Sequence, residues 1–284
     1  MLDHVLFYGP PGLGKTTLAY IIANEMGGNV RLVSGPSIER PGDLASILSS
    51  LEPGDILFID EIHRLPNVVE EILYSAMEDF KMNIVVSRET SASTISIQLP
   101  PFTLVGATTK AGLLSPPLRA RFGIMECINY YSEEELMQIV KRTANYFNSS
   151  IGDVSSREIA KRSRGTPRIA NRIFRRVRDF ANYKDSSEIK IEETKDALDA
   201  LRIDEIGLDE VDLKYLLTLK NRFSGGPVGV ETIASAIGED TSNLEEVYEP
   251  YLLKIGFIDR TPKGRILTNK ARSHLKNTKE VFTT

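Results

Sequence analysis

The spacing of apolar and polar positions changes twice along the chain, and each change marks a new kind of element. Over residues 1–130, short apolar runs alternate with stretches of helical period. His4–Tyr8, Val30–Val33 and Leu104–Ala107 read as strands. Ile56–Ile59 is four apolar residues in a row, as a strand covered on both faces requires. Thr16–Met26 reads as a helix stopped by Gly27-Gly28. Asp43–Leu51 reads as a second, with Asp43 near its N-cap and Pro53-Gly54 ending it. Val68–Phe80 is a third, with Ile72, Leu73, Ala76 and Phe80 at helical spacing. Alternating strands and helices predict a parallel sheet with crossover helices. Asn83–Val86 and Thr94–Leu99 instead alternate in twos about Arg88–Ser93, which predicts a hairpin. Its Ile84, Val86 and Ile95 either lie half-buried or face a partner.

From Ser132 the pattern is helical throughout. Ser132-Glu133-Glu134-Glu135 reads as a capping box with acids at the positive helix end. Helices are expected at Arg157–Arg164, Arg168–Tyr183 and Ile191–Leu201. A third unit starts near Glu205, with helices at Asp209–Phe223, Glu231–Ile237 and Thr241–Ile255. Strands at Phe257–Arg260 and Arg265–Thr268 then flank the turn Thr261-Pro262-Lys263-Gly264. Three helices and a hairpin describe a winged helix. The expected domains are 1–130, 131–203 and 204–284, an α/β unit followed by a helical unit and a winged one.

Composition narrows the class. With 284 residues, 41% apolar and 26% charged, the chain has the make-up of an ordinary globular protein of two or three domains. No apolar run is long enough to cross a bilayer, and no signal peptide precedes the first strand. Cys127 is the single cysteine, so no intramolecular disulfide forms and a cytoplasmic location is expected. The net charge of −4 argues against coating nucleic acid by bulk charge. Its distribution matters more. Arg157, Lys161, Arg162, Arg164, Arg168, Arg172, Arg175, Arg176 and Arg178 face Glu158 alone. Lys254, Arg260, Lys263, Arg265, Lys270, Arg272, Lys276 and Lys279 face only Asp259 and Glu280. Such patches are either solvated helix faces or local polyanion contacts.

The candidate chemistry lies in the first unit. Gly9-Pro10-Pro11-Gly12-Leu13-Gly14-Lys15-Thr16 matches G-x-x-x-x-G-K-[ST] between a strand and a helix. Glycines let backbone N–H groups curl around phosphate, and the helix start points its amides and dipole at the same charge. Lys15 is placed to reach the β- and γ-phosphates of ATP, and the Thr16 hydroxyl to ligate Mg²⁺. Asp60, at the end of the Ile56–Ile59 strand, is placed to hold the magnesium shell, and Glu61 to act as general base on water. The adjacent Asp60-Glu61 pair favours hydrolysis over kinase chemistry.

With both halves in place, the chain resembles the AAA+ ATPases and, more narrowly, the RuvB family of Holliday-junction branch-migration motors. The most specific runs are Gly9–Ala19, Leu57–Leu65, Val105–Thr109, Pro117–Ile124, Arg164–Arg172, Gly225–Gly229 and Glu249–Leu252. The resemblance implies an AAA+ P-loop NTPase domain, a small helical lid and a C-terminal winged helix. It implies that Thr17 joins the nucleotide contacts and that Thr108 is sensor 1, with Thr109 as fallback. It makes Arg121 an arginine finger reaching the neighbouring subunit's γ-phosphate, with Arg119 as its competitor. It makes Arg168 sensor 2, with Arg164 as competitor. His63 is either a switch or a satisfied polar contact. The family forms hexameric rings around duplex DNA at four-way junctions and works with RuvA, and Asn83–Leu99 matches the partner-binding segment. Relatives carry a segment before the first strand that helps enclose adenine, and this sequence starts almost at that strand. The alternative function is an ATP-switched DNA loader or replication initiator.

For DNA, Thr241–Ile255 is a poor groove reader, because it carries Glu245, Glu246 and Glu249. Arg260, Lys263 and Arg265 on the wing suit a sequence-independent grip on the phosphate backbone.

Overall fold

The computed structural model describes residues 2–88, 91–183 and 188–277. They divide into two compact units, 1–129 and 130–284.

In the first unit, five strands form one parallel sheet: β1 (Val5–Tyr8), β2 (Val30–Ser34), β3 (Ile56–Asp60), β6 (Thr103–Thr108) and β7 (Ile124–Cys127), in the order β2-β3-β6-β1-β7. Period-two alternation sorts their side chains. Leu6, Leu57, Ile59 and Leu104 pack with Leu44 and Leu48 of α2 (Pro41–Ser49) and Leu73 and Met77 of α3 (Asn67–Asp79). Val5, Phe7, Phe58 and Val105 pack with Ala19 and Ala23 of α1 (Lys15–Met26) on the other face. Ile56–Ile59 is fully enclosed, as its unbroken apolar run demanded. Each such side chain contributes roughly 1.5–3 kcal/mol of burial free energy. His4 is a satisfied core group: it accepts the Leu104 N–H at Nδ1 (2.9 Å), and its Nε2 lies 3.0 Å from the Met77 carbonyl.

Three readings of this unit shift. The α2 helix starts at Pro41, two residues before the expected cap. Asp43 therefore sits inside the first turn and accepts the Arg40 N–H at 2.8 Å. Edge strand β7 and the short α4 (Pro116–Ala120) are additional elements. The hairpin forms as β4 (Lys81–Arg88) and β5 (Ser91–Gln98), antiparallel. Ile95 is exposed on it, while the side chains of Ile84 and Val86, and residues 89–90 of the expected loop, lie outside the described set.

The second unit contains two cores. Helices α5 (Glu133–Tyr146), α6 (Asp153–Lys161), α7 (Pro167–Tyr183) and α8 (Ile191–Ala200) enclose Leu136, Val140, Ile159, Ile173, Phe174, Val177 and Leu198. The Ser132 cap forms as expected: its hydroxyl accepts the Glu135 N–H (3.2 Å), and the Glu135 carboxylate accepts the Ser132 N–H (2.8 Å). Such a cap contributes about 1 kcal/mol. The α6 helix opens at Asp153, four residues before the expected start. A two-stranded parallel pair, β8 (Ser150–Ile151) with β9 (Glu188–Ile189), is too short to leave a periodic signal.

The second core belongs to α9 (Glu210–Asn221), α10 (Val230–Ile237) and the segment 241–254, with the antiparallel pair β10 (Ile258–Thr261) and β11 (Gly264–Leu267) and a further helix at Asn269–Asn277. Segment 241–254 is not one straight helix. Its middle, Leu244–Tyr248, is a π turn between helical pieces Thr241–Asn243 and Glu249–Lys254. Pro250 supplies the reason, since it has no N–H to give to the preceding turn.

Candidate active site

Because the sheet is parallel, β1, β3 and β6 end on one edge, where ligand crevices of such sheets lie. Tyr8 pairs in register with Thr108, and Gly9 N–H donates to the Thr108 carbonyl at 3.2 Å. The phosphate loop, the acidic pair and the threonine pair are thereby brought together by backbone hydrogen bonding alone.

The loop is shaped for backbone display. A Cβ at Gly9 would lie 2.3 Å from the Ile128 carbonyl oxygen, so no other residue fits there. Gly14, at φ 98, forms the N-cap of α1, and no side chain caps that helix. A cradle of left-handed glycines opening onto an uncapped helix start suits a phosphate group. Lys15 is buried, and its Nζ donates to the carbonyls of Gly9 and Pro10, both at 2.8 Å. The ammonium is thus threaded through the loop it serves. Thr16 is half-buried and Thr17 exposed in the first turn.

Asp60 closes β3, and its Oδ1 accepts the Glu61 N–H at 3.0 Å. Glu61 has a left-handed backbone, φ 50, a conformation that costs a non-glycine residue roughly 1–3 kcal/mol and concentrates at functional sites. Its Oε2 lies 3.2 Å from the Thr109 hydroxyl, 3.4 Å from the Thr109 N–H and 3.2 Å from His63 Nδ1. Among the described residues, no cluster of three or more His, Cys, Asp or Glu could hold a metal by itself. Thr16 and Asp60 carry one hydroxyl and one carboxylate, the kinds of oxygen donor that Mg²⁺ accepts beside phosphate oxygens and water.

The two threonines take different places. Thr108 is fully buried, and its hydroxyl is engaged by His63 Nδ1 (2.9 Å) and the Lys110 N–H (3.0 Å). Thr109, the fallback for sensor 1, has the hydroxyl that reaches Glu61. Sequence alone could not order the pair, because strand register decides which hydroxyl faces the catalytic edge.

Arg121 follows α4. It donates to the Pro117 carbonyl (2.8 Å), pairs with Glu78 (3.0 Å) and lies over the Tyr74 ring, 4.5 Å from its centroid. These partners belong to α3 and α4, not to the loop or the acidic pair. Arg119, its competitor, is exposed.

In the second unit Arg168 is exposed in the first turn of α7, with Arg172, Arg175 and Arg176 exposed further along. Arg164 is a structural group. It is buried, donates to the Gly207 carbonyl at 2.6 Å, and pairs with Asp212 and with Asp209 at 3.2 Å. Burial pushes the Asp212 carboxyl up to about 7, against the pull of Arg164.

The wing revises the DNA-facing expectation. Glu249 is fully buried and accepts hydrogen bonds from Arg260 (Nε, 3.0 Å), Arg265 (Nε, 2.8 Å) and the Tyr215 hydroxyl (2.8 Å). Burial raises the Glu249 carboxyl, but hydrogen bonds from Arg265, Arg260 and Tyr215 outweigh it and leave it below its ordinary value. Arg265 also pairs with Glu245 at 2.7 Å and is largely enclosed. Arg265 is therefore committed to the domain's own core, and Glu249 is not part of an acidic outer face. Arg260 stays partly exposed, and Lys263 stands exposed at the turn. Lys279 and Glu280 lie outside the described residues.

A glycine-lined phosphate cradle, an Asp-Glu pair and a polar threonine on adjoining strand ends of a 2-3-6-1-7 parallel sheet, in a chain that continues into a helical lid, define a P-loop NTPase of the AAA+ class. Residues 1–128 match the family model described as Holliday junction DNA helicase RuvB P-loop domain, 131–204 the RuvB AAA lid domain, and 205–276 the RuvB C-terminal winged helix domain. The chain belongs to the RuvB family of Holliday junction DNA helicases, which are ATP-driven AAA+ motors.

It is 60% identical over 274 residues to the Holliday junction branch migration complex subunit RuvB of Limosilactobacillus reuteri strain DSM 20016, covering 96% of this chain and 81% of that protein. The solved Thermotoga maritima RuvB, named as the Holliday junction branch migration motor, superposes with TM-score 0.87 at 51% identity, covering 97% of this chain and 87% of that one. A proline-to-glycine variant of the same protein superposes with TM-score 0.89 at 52% identity, covering 97% and 88%. Other Thermotoga variants are substituted at a lysine, a threonine and an arginine whose spacing along that chain equals the spacing of Lys15, Thr109 and Arg121. No helix among the described residues is long and apolar enough to cross a membrane.

Proposed function

We propose that the chain hydrolyses ATP to drive branch migration of four-way DNA junctions in recombination and repair. The observation that carries the chemistry is the Glu61 carboxylate, held at the sheet edge by Thr109, the residue after the strand that hydrogen-bonds the start of the phosphate loop. In this reading Gly9, Pro10, Pro11, Gly12, Leu13, Gly14, Lys15, Thr16 and Thr17 surround the triphosphate. Lys15 leaves the loop carbonyls for the β- and γ-phosphates. Thr16 and Asp60 hold Mg²⁺, which when bound neutralises developing charge on the phosphate oxygens. Glu61 accepts a proton from the attacking water, and Thr109, in preference to Thr108, senses the γ-phosphate.

Arg121 acts on the neighbouring subunit's nucleotide in a homo-hexameric ring. Its partners on α3 and α4, none of them at its own phosphate loop, support a role in trans. Arg168 contacts phosphate from the lid. The working domains are 1–130, 131–203 and 204–284. Lys263, with the exposed edge of Arg260, meets the DNA backbone, and the protein works in the cytoplasm with a RuvA-type junction-binding partner. The test is ATP-dependent dissociation of a synthetic four-way junction, with and without such a partner. ATP turnover that leaves the junction intact in both arms would sink the motor reading.

A further inference from the structure

The family motif ends its chemistry at Glu61, yet the side chain two residues on touches both the catalytic carboxylate and a buried threonine. His63 Nδ1 is 3.2 Å from Glu61 Oε2 and 2.9 Å from Thr108 Oγ1. We propose that His63 is the positioning residue of the ATPase site: it orients the Glu61 carboxylate and is itself anchored by Thr108. The inference rests on the reading of Glu61 as general base.

A carboxylate only accepts, so Nδ1 supports Glu61 when it carries the ring hydrogen. In that tautomer the ring and Thr109 both bond Oε2. Thr108 fixes where Nδ1 stands. Its oxygen is held by the Lys110 N–H at 3.0 Å, and it lies wholly inside the protein, so it cannot follow solvent. The neutral ring has two tautomers. With its hydrogen on Nδ1, that hydrogen is shared between Thr108 and Glu61. With its hydrogen on Nε2, the Thr108 hydroxyl donates its own hydrogen to Nδ1, whose lone pair then lies 3.2 Å from Oε2, and the carboxylate loses its hold. The ring therefore has one state that steadies the base and one that loosens it. The neighbouring threonines divide the work accordingly, Thr109 facing the reaction and Thr108 the histidine.

The experiment measures kcat and KM for ATP on the full chain, for His63→Ala, His63→Asn, His63→Gln, Thr108→Val and the His63→Ala/Thr108→Val double variant. Glu61→Gln is run alongside. His63→Ala should lower kcat by about 10- to 100-fold, because a base misplaced by an ångström loses that much. KM should stay within about twofold, because binding is left alone. Asparagine puts an amide near the position of Nδ1 and should restore most of the loss. Glutamine puts it near Nε2 and should not. Thr108→Val should also lower kcat, and the double variant should be no worse than His63→Ala, as residues acting through one another are not additive. Unchanged kcat in His63→Ala, a change in KM alone, rescue by glutamine equal to that by asparagine, or additive losses would each overturn the proposal. A misfolded His63→Ala variant would show lost nucleotide binding, and the asparagine–glutamine contrast then decides the question. Should Glu61→Gln turn over ATP like the parent, the general-base reading fails first, and that outcome is separate from those above.

Discussion

The strand-end edge of the first unit and the wing of the second both gather charged side chains, and they employ them in opposite directions. At the sheet edge, Glu61 has a left-handed backbone, and its carboxylate, partly open to solvent, lies 3.2 Å from both the Thr109 hydroxyl and His63 Nδ1. At the wing, Arg260 and Arg265 turn inward onto Glu249, which is fully buried. One region leaves its carboxylate partly open to solvent. The other consumes its charges to hold a hairpin against a helix. A basic run is therefore evidence of an interface only after its internal carboxylates have been counted.

The comparison can be broken most sharply at Arg121. Arg121→Ala should lower ATP turnover by about 10³–10⁵, or roughly 4–7 kcal/mol of barrier, with nucleotide binding kept. Mixing this variant with Glu61→Gln subunits should restore part of the turnover, because each supplies what the other lacks. Steady-state ATPase of the mixtures measures this, and mixtures as inactive as either variant alone would rule out action in trans. Next in size, Glu61→Gln should reduce kcat by about 10²–10⁴ while ATP stays bound. An amide that leaves turnover intact would make this edge as structural as the wing.

In the wing the effect should be on stability. Glu249→Ala strands Arg265 in a largely enclosed site and should cost about 3–5 kcal/mol, seen as a lowered melting transition with ATPase kept. Two buried carboxylates of this unit, Glu249 and Asp212, also predict opposite pH slopes. Glu249 is held below its ordinary value, so its contribution is present above about 4.5 and is lost as pH falls further. Asp212 is pushed up to about 7 from 3.8, so the folded form binds its proton more tightly. Stability from Asp212 is full below its ordinary value and lost as pH rises towards 7. Melting as a function of pH should lose its acid limb in Glu249→Gln and its neutral limb in Asp212→Asn. Smallest of all, Lys263→Ala should weaken duplex binding uniformly across sequences and lower the salt slope by about one. Arg265→Ala, by contrast, should act mainly through folding.

Much of the first unit was legible because its signals are local. The unbroken Ile56–Ile59 run, the glycines of the loop and the Gly27 stop each act within a few residues. The edge strand Ile124–Cys127 was not legible. It is short and half-exposed, and it exists because β1 offers it a hydrogen-bonding edge. The helix Asn269–Asn277 was missed in the same way, its apolar positions Ala271 and Leu275 being too sparse to announce a face. In segment 241–254, the acids read as an outer face were sorted by the π turn before Pro250 and by the two arginines opposite.

What the sequence determined by itself was therefore chemistry tied to a short stretch of chain: the phosphate loop, the carboxylates after a buried strand, the caps and the order of elements. Those depend on backbone freedom and on hydrogen bonds spanning three or four residues. Tertiary structure alone decided which of Thr108 and Thr109 faces Glu61, that His63 touches both Glu61 and Thr108, and that Arg164 and Arg265 serve the interior. Each of those outcomes needs at least one partner far along the chain, such as Thr108 for His63, brought within hydrogen-bond distance only by strand register and core packing.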